Sequence, residues 1–285
     1  MEIVNRVARM CAVGSKLLAS ELKLGLISTM GGIHPGHVAL IRAARAMADV
    51  VVVSIYVDRL RLRSDLDYER YPRDLAKDAD LLRRENVDYI FAPAEEEMHP
   101  PDFATYVQVE DAAGRFADLP REAIFRGLTT GTLKMIHIVR PAFLFLSEKD
   151  ALEGAVLLRM FRDLNIGTEV VLGPAARDPD GLACGVRNQF LSPEERAAAP
   201  VLYRSLQAGA ALVAAGETQA KKVIAEVARG IETEPLAKLQ YAVVIRSEAL
   251  EPLSRIEGKA WLAAGARIGA TLIEDALPVE RLTRS

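Results

Sequence analysis

Ser28-Thr-Met-Gly-Gly-Ile-His34-Pro-Gly-His37 is the stretch that decides how this chain is read. It follows a short β-rich run, Leu24 to Ser28, and precedes Val38, Leu40, Ile41, Ala44 and Met47, which recur at helical spacing. A Gly-rich turn between a strand and a helix is where open α/β sheets take their ligands, at the carboxyl end of the strand. Gly31 and Gly32 let the backbone approach a phosphate closely, and Gly36 does the same at the helix start, whose N–H groups favour an anion. Two of the four histidines, His34 and His37, fall in this one turn. Imidazoles so placed can stabilise charge developing on an α-phosphate and a leaving pyrophosphate. The expectation from these residues is a segment that binds the phosphates of a nucleotide. A zinc site is the rival reading, but no Cys or third His lies nearby and the Glu of a metalloprotease helix is missing. No protein-held metal is therefore expected, and His99 and His137 are read as structural.

Outward from this turn, strands and helices alternate. Val50 to Val57 is a nearly continuous β-branched run, as expected for a parallel strand buried on both faces. Leu75, Ala79 and Leu82 mark one helix face, and Val87 to Phe91 is another strand. Ala142 to Leu146, a helix from about Lys149, and Thr168 to Leu172 continue the pattern. The expected fold is α/β, a Rossmann-like doubly wound parallel sheet over residues 1–175. Beyond Pro174 the texture changes. Ser192-Pro193-Glu-Glu195 is a helix start, followed by Ala-rich helix to about Ala215 and another helix from about Thr218 to Ile231. Short strands are expected at Gln240 to Ile245, Ala260 to Ala264 and Ile268 to Ile273. Residues 176–285 are read as a smaller α+β domain.

Composition narrows the function classes. Half of the 285 residues are hydrophobic, about a quarter are charged, and the formal net charge is −3. No clustered cationic surface for nucleic acid is present, and no run of about 20 apolar residues predicts a membrane span. Cys11 and Cys184 lie far apart without metal-ligand spacing, which fits free thiols in a reducing cytoplasm.

The match becomes specific when further segments are taken in order. Thr29 to His37, Glu69-Arg-Tyr-Pro-Arg73, Phe91-Ala-Pro93 with Glu97-Met98, Phe125-Arg-Gly127 and Glu148-Lys-Asp150 are followed by four more. These are Arg162-Asp-Leu164, Asp180-Gly-Leu182, Arg187-Asn188 and Leu191-Ser-Pro-Glu-Glu-Arg196. The set resembles the pantothenate synthetase family of the HxGH nucleotidylyl-transferase superfamily. The resemblance covers about residues 20 to 205 strongly and the C-terminal part more weakly. It implies a ligase of pantothenate biosynthesis that acts in two steps. Pantoate attacks ATP to give pantoyl-adenylate and pyrophosphate, and β-alanine then displaces AMP to form the amide. It also implies ATP and Mg²⁺ as cofactors, a carboxylic acid and an amine as small-molecule partners, and a homodimer.

By the same resemblance Met30, Gly31, Gly32, Ile33, His34, Pro35, Gly36 and His37 line the nucleotide, with Ser147, Lys149, Asp150, Ala176 and Arg187. The catalytic set is His37, His34 and Lys149. Lys149 is a compact cation able to follow migrating phosphate charge, and Asp150 can hold ribose hydroxyls or help hold Mg²⁺.

The departures from the family pattern are concentrated in the acid pocket. The family's Val-Asn-Pro-x-Gln-Phe is here Val57-Asp58-Arg59-Leu60-Arg61-Leu62, so the pantoate-gripping glutamine is Arg61 and the asparagine is Asp58. A second pantoate glutamine is Glu153, and the Ser-Ser-Arg-Asn of the phosphate loop is Gly185-Val186-Arg187-Asn188. Three readings stand open. Arg61 and Glu153 could pair and fill the pocket; they could bind a different, zwitterionic substrate; or the chain could be a catalytically impaired nucleotide-binding protein.

Overall fold

The β-branched run from Val50 becomes an interior strand of a six-stranded parallel sheet. The structure, a computed structural model, describes residues 1–62, 65–110, 122–247 and 251–281. Its strands are β1 (Glu2–Val4), β2 (Leu24–Thr29), β3 (Val50–Ile55), β4 (Tyr89–Phe91), β5 (Phe143–Ser147) and β6 (Glu169–Gly173), in the spatial order β1-β4-β3-β2-β5-β6. Helices α1 (Val7–Ala19), α2 (Pro35–Met47), α3 (Asp65–Arg70), α4 (Leu75–Arg84), α5 (Glu95–Met98), α6 (Glu122–Val139) and α7 (Ala151–Asp163) connect them. The doubly wound α/β class read from the alternating pattern is the class observed.

A three-stranded antiparallel sheet follows, β7 (Ala237–Arg246), β8 (Lys259–Ile268) and β9 (Thr271–Glu280), with α8 (Pro193–Ala198), α9 (Val201–Ala214) and α10 (Ala220–Glu232). Leu206, Val213, Val223, Val227 and Ile231 of α9 and α10 pack with Val244, Leu262, Ala264 and Ile273 of this sheet in one apolar core. Ser192 caps α8 with a reciprocal Ser192–Glu195 capping box. The Ala-rich helix foreseen to Ala215 is broken at Pro200, between α8 and α9, where a proline cannot supply the N–H that continuation requires. The strand foreseen at Ile268 to Ile273 is corrected as well. Those residues straddle the β8–β9 hairpin, which turns at Gly269 with φ +55°.

Contacts group the described residues into two units, one of residues 1–110, 122–146 and 160–173, the other of residues 147–159 and 174–281. Residues 147–159, which precede the boundary expected at 175, therefore group with the C-terminal elements.

Within the first unit, α2 and α4 supply Leu40, Ile41, Ala44, Ala79 and Leu82 to a core with Ile27, Val51, Val53, Ile90 and Phe145 of the sheet. The apolar spacing read along both helices is thus their buried face. β2 is the pivot of the sheet, because the chain continues to β3 on one side and β5 on the other. Its carboxyl end lies at the point where strand order reverses, and that end leads into the Gly-rich turn.

Candidate active site

The turn after β2 is held by side chains from within the same unit. Gly31 and Gly32 have φ of +90° and +64°, a left-handed backbone that glycine adopts without steric cost. The Thr29 hydroxyl donates to the Ser54 carbonyl at 2.7 Å and accepts from the Gly31 N–H at 3.1 Å. Both oxygens of the buried Asp78 carboxylate are used next, accepting from the Gly32 N–H at 2.9 Å and the Ile33 N–H at 2.8 Å. His34 is the N-cap of α2, with its Nδ1 accepting from the Gly36 N–H at 3.1 Å and Pro35 in the first turn. That bond leaves Nε2 as the N–H donor of a neutral His34 ring. The rings of His34 and His37 stack, with centroids 4.0 Å apart and planes 27° from parallel.

The Gly31, Gly32 and Gly36 N–H groups donate within the turn, to Thr29, Asp78 and His34. The two stacked imidazoles, with Nε2–H of His34 among their polar atoms, are the polar rings at the start of α2. Met30 lies on the wall of a cavity of about 280 Å³, together with Tyr56, Tyr68, Arg73, Asp78 and Glu95.

Asp58 and Arg61 follow β3 and come together around a single turn of 3-10 helix, Arg59–Arg61. Asp58 is 3% exposed and accepts from the Leu60 N–H at 2.9 Å. Burial pushes its carboxyl above the usual range; Arg61, the Leu60 N–H and His99 pull it down, and Glu95 pushes it up. The two residues line a cavity of only about 10 Å³ with Ser28, Thr29, Tyr56, Gly131, Thr132 and Met135. Asp58 and Arg61 therefore act on each other electrostatically within the same loop. Tyr56 donates to Glu95 at 2.9 Å and lies 2.8 Å from Nδ1 of His99, whose ring meets Phe103 edge-on. His99 is a packed residue, as read.

The 3-10 turn can sit this close to α6 because residue 127 is glycine. A Cβ there would stand 2.2 Å from the Leu60 carbonyl oxygen. Gly127→Ala is expected to push the turn and Arg61 outward and lower stability by ~1–3 kcal/mol. An unchanged midpoint in urea denaturation would show that the contact yields without cost.

The second unit holds the other expected residues. Lys149 donates to Asp150 at 2.5 Å just after β5, where Ser147 is buried. Burial works against the Lys149 charge, but Asp150 and then Glu153 outweigh it and hold the ammonium above its ordinary value, with Arg187 opposing. Glu153 thus acts on Lys149. Arg187 Nη1 lies 3.5 Å from Glu274 of β9, and the Tyr241 hydroxyl lies 3.1 Å from the same carboxylate. The Ala176 carbonyl accepts from the Cys184 N–H at 2.8 Å.

Comparison with known proteins decides the family. The model of the pantoate–β-alanine ligase family matches residues 2–277. The chain belongs to the pantoate–β-alanine ligase family. It is 40% identical to a pantothenate synthetase of Thermotoga petrophila over 97% of this chain and 99% of that one. It is 41% identical to a pantothenate synthetase of Pelotomaculum thermopropionicum with the same coverage. Among solved structures, pantothenate synthetase from Thermus thermophilus superposes with a TM-score of 0.88 at 35% identity, over 97% of this chain and 99% of that one. A pantoate–β-alanine ligase from Francisella tularensis, described as complexed with βγ-ATP and β-alanine, gives a TM-score of 0.76 at 26% identity over 97% of both chains.

For a pantoate–β-alanine ligase family member, the residues that motif reading passed over are Asp78, Tyr56, Glu95, Glu274 and Asp275. Asp78 carried a signal. It lies in the apolar stripe of α4, beside Ala79 and four residues before Leu82, where a carboxylate has no reason to be buried unless something donates to it. Glu274 and Asp275 carried none, because β9 itself was misplaced.

Proposed function

We propose that this chain joins a carboxylic acid, by default pantoate, to β-alanine in an ATP-dependent reaction that passes through an acyl-adenylate and releases pyrophosphate and AMP. The observation that carries the reading is the stacked His34–His37 pair at the start of α2, at the strand-order reversal of the sheet, in a chain matched by the family over residues 2–277. The imidazoles are aimed at charge that grows on the α-phosphate and on leaving pyrophosphate as the acid carboxylate attacks. His34 donates through Nε2–H, and His37 stabilises the same charge from the next turn. Lys149, Asp150 and Arg187 are proposed as ATP contacts, with Lys149 kept cationic by Asp150 and Glu153. Among the described residues no three His, Cys, Asp or Glu side chains gather as a metal cage. Mg²⁺ would be carried mainly by the ATP phosphates, with Asp150 as its protein carboxylate. The ion would supply neutralisation of phosphate charge.

Pyrophosphate release from ATP, measured with pantoate and a panel of hydroxy and amino acids, tests the reading. Pantoate is expected to be the best acid and β-alanine to release AMP. Release only with another acid would reassign the substrate, and ATP binding without release would leave a nucleotide-binding protein.

The near-closed cavity around Asp58 and Arg61 supports a narrower second reading, an acid pocket that disfavours pantoate. Arg61→Gln with Glu153→Gln is then expected to raise kcat/KM for pantoate by ~10-fold or more, each restored neutral amide offering about one hydrogen bond. An unchanged KM for pantoate would show that these residues do not face the acid. Small-molecule partners, a homodimer and a cytoplasmic setting complete the proposal, and sedimentation equilibrium checks the dimer. No helix among the described residues is long and apolar enough to cross a membrane.

A further inference from the structure

We infer that Asp78 is a positioning residue of the adenylation step, a built-in anion that holds the histidine turn in its reactive shape before ATP arrives. The inference rests on the ligase reading above. Two consecutive positive-φ glycines turn the Gly32 and Ile33 N–H groups to one side, making a concavity of the kind that binds anions. Its occupant is the Asp78 carboxylate, one oxygen to each N–H at 2.9 and 2.8 Å. The fit is close, since a Cβ on Gly31 would stand 3.2 Å from Asp78 Oδ2.

The carboxylate cannot drift away. It sits on the buried face of α4 with the core residues Ala79 and Leu82, itself 3% exposed. Ile33, the last residue it grips, is also buried and directly precedes His34. Asp78 therefore sets the angle at which the chain enters α2, and with it both imidazoles. Filling the concavity also keeps phosphate out of it, so the nucleotide's anionic groups meet the rings instead of a nest of N–H groups. Preorganisation of this kind acts on turnover. A misplacement of about 1 Å can cost on the order of 100-fold in rate.

The test compares wild type, Asp78→Asn and Asp78→Gly for pyrophosphate release with pantoate, ATP affinity by calorimetry, and rescue by sodium formate. Asp78 lies on the wall of the 280 Å³ cavity, which gives so small an anion a route to the vacated seat. Expected are a fall in kcat of ~10–100-fold for Asp78→Asn, an ATP Kd within about threefold of wild type, and saturable partial recovery of Asp78→Gly by formate but not chloride. Wild-type kcat in Asp78→Asn, a loss confined to ATP affinity, or a defect in Asp78→Gly that formate leaves unchanged would each overturn the inference. Failure of Asp78→Asn to fold would also overturn it, since the residue would then be structural. A wild type that releases no pyrophosphate with any acid would refute the ligase reading instead. Hydrogen exchange over residues 30–38 would then decide the positioning claim, with faster exchange in Asp78→Asn supporting it and unchanged exchange overturning it.

Discussion

His37→Ala is expected to lower acid-dependent pyrophosphate release by ~10²–10⁴-fold, the range for removing a positioned proton-transferring or charge-stabilising side chain. The backbone sets the geometry. His34 ends the glycine turn in an extended conformation, Pro35 starts α2, and the first helical turn brings His37 back over His34 with ring centroids 4.0 Å apart. The substitution removes one face of that stack and none of the turn's backbone hydrogen bonds. Stability should therefore fall by no more than the ~0.5–1.5 kcal/mol of a ring–ring contact. The two readouts separate the roles. A near-normal rate in a folded variant would remove His37 from the chemistry, and a collapse of the thermal transition would make it a folding residue.

The largest expected effect on stability is elsewhere, in the second unit. Asp275→Ala should cost ~3–5 kcal/mol, because it strands a guanidinium whose carboxylate partner is almost wholly buried. Arg177 reaches Asp275 through both terminal nitrogens at 2.5 and 3.0 Å, and Asp275 is 2% exposed. Arg177 also stacks on the Tyr203 ring at 4.0 Å and donates to the Gly181 carbonyl, while the Ala276 N–H donates to Asp275. Burial pushes the Asp275 carboxyl up and Arg177 pulls against it, so the pair is held by geometry rather than by a large Coulombic surplus. Replacing both partners by apolar residues of matching volume should accordingly cost much less than either single change. A urea titration of the three variants checks this. A single variant with the wild-type midpoint would show that water reaches Arg177 and takes over the lost partner.

Local chemistry explains how much was legible. The strand–turn–helix around His34-Pro-Gly-His37 could be read because capping, proline at the first helical position and positive-φ glycine act over a few residues. α6 was not foreseen, because Gly127, Thr129, Thr130 and Gly131 dilute its apolar stripe. The two glycines admit the 3-10 turn at Leu60 and the Asp58 carboxylate, a reason that lies nearly 70 residues back in the chain. The strand misplaced onto Ile268–Ile273 has a similar cause. β8 is buried along almost its whole length, so its apolar run gave no sign of where the hairpin turned.

By itself, the sequence determined the doubly wound fold, the family and the histidine turn, because periodicity, capping and ordered motifs are properties of neighbouring residues. Only the tertiary structure decided how that turn is held and what surrounds the altered acid positions. It put the Asp78 carboxylate on the Gly32 and Ile33 N–H groups, set Asp58 and Arg61 on one small cavity, and brought Lys149 under the electrostatic influence of Glu153. Asp78 meets Ile33 across 45 residues, and Glu274 meets Arg187 across 87. Such contacts exist only once sheet and helices have packed, and no local spacing encodes them.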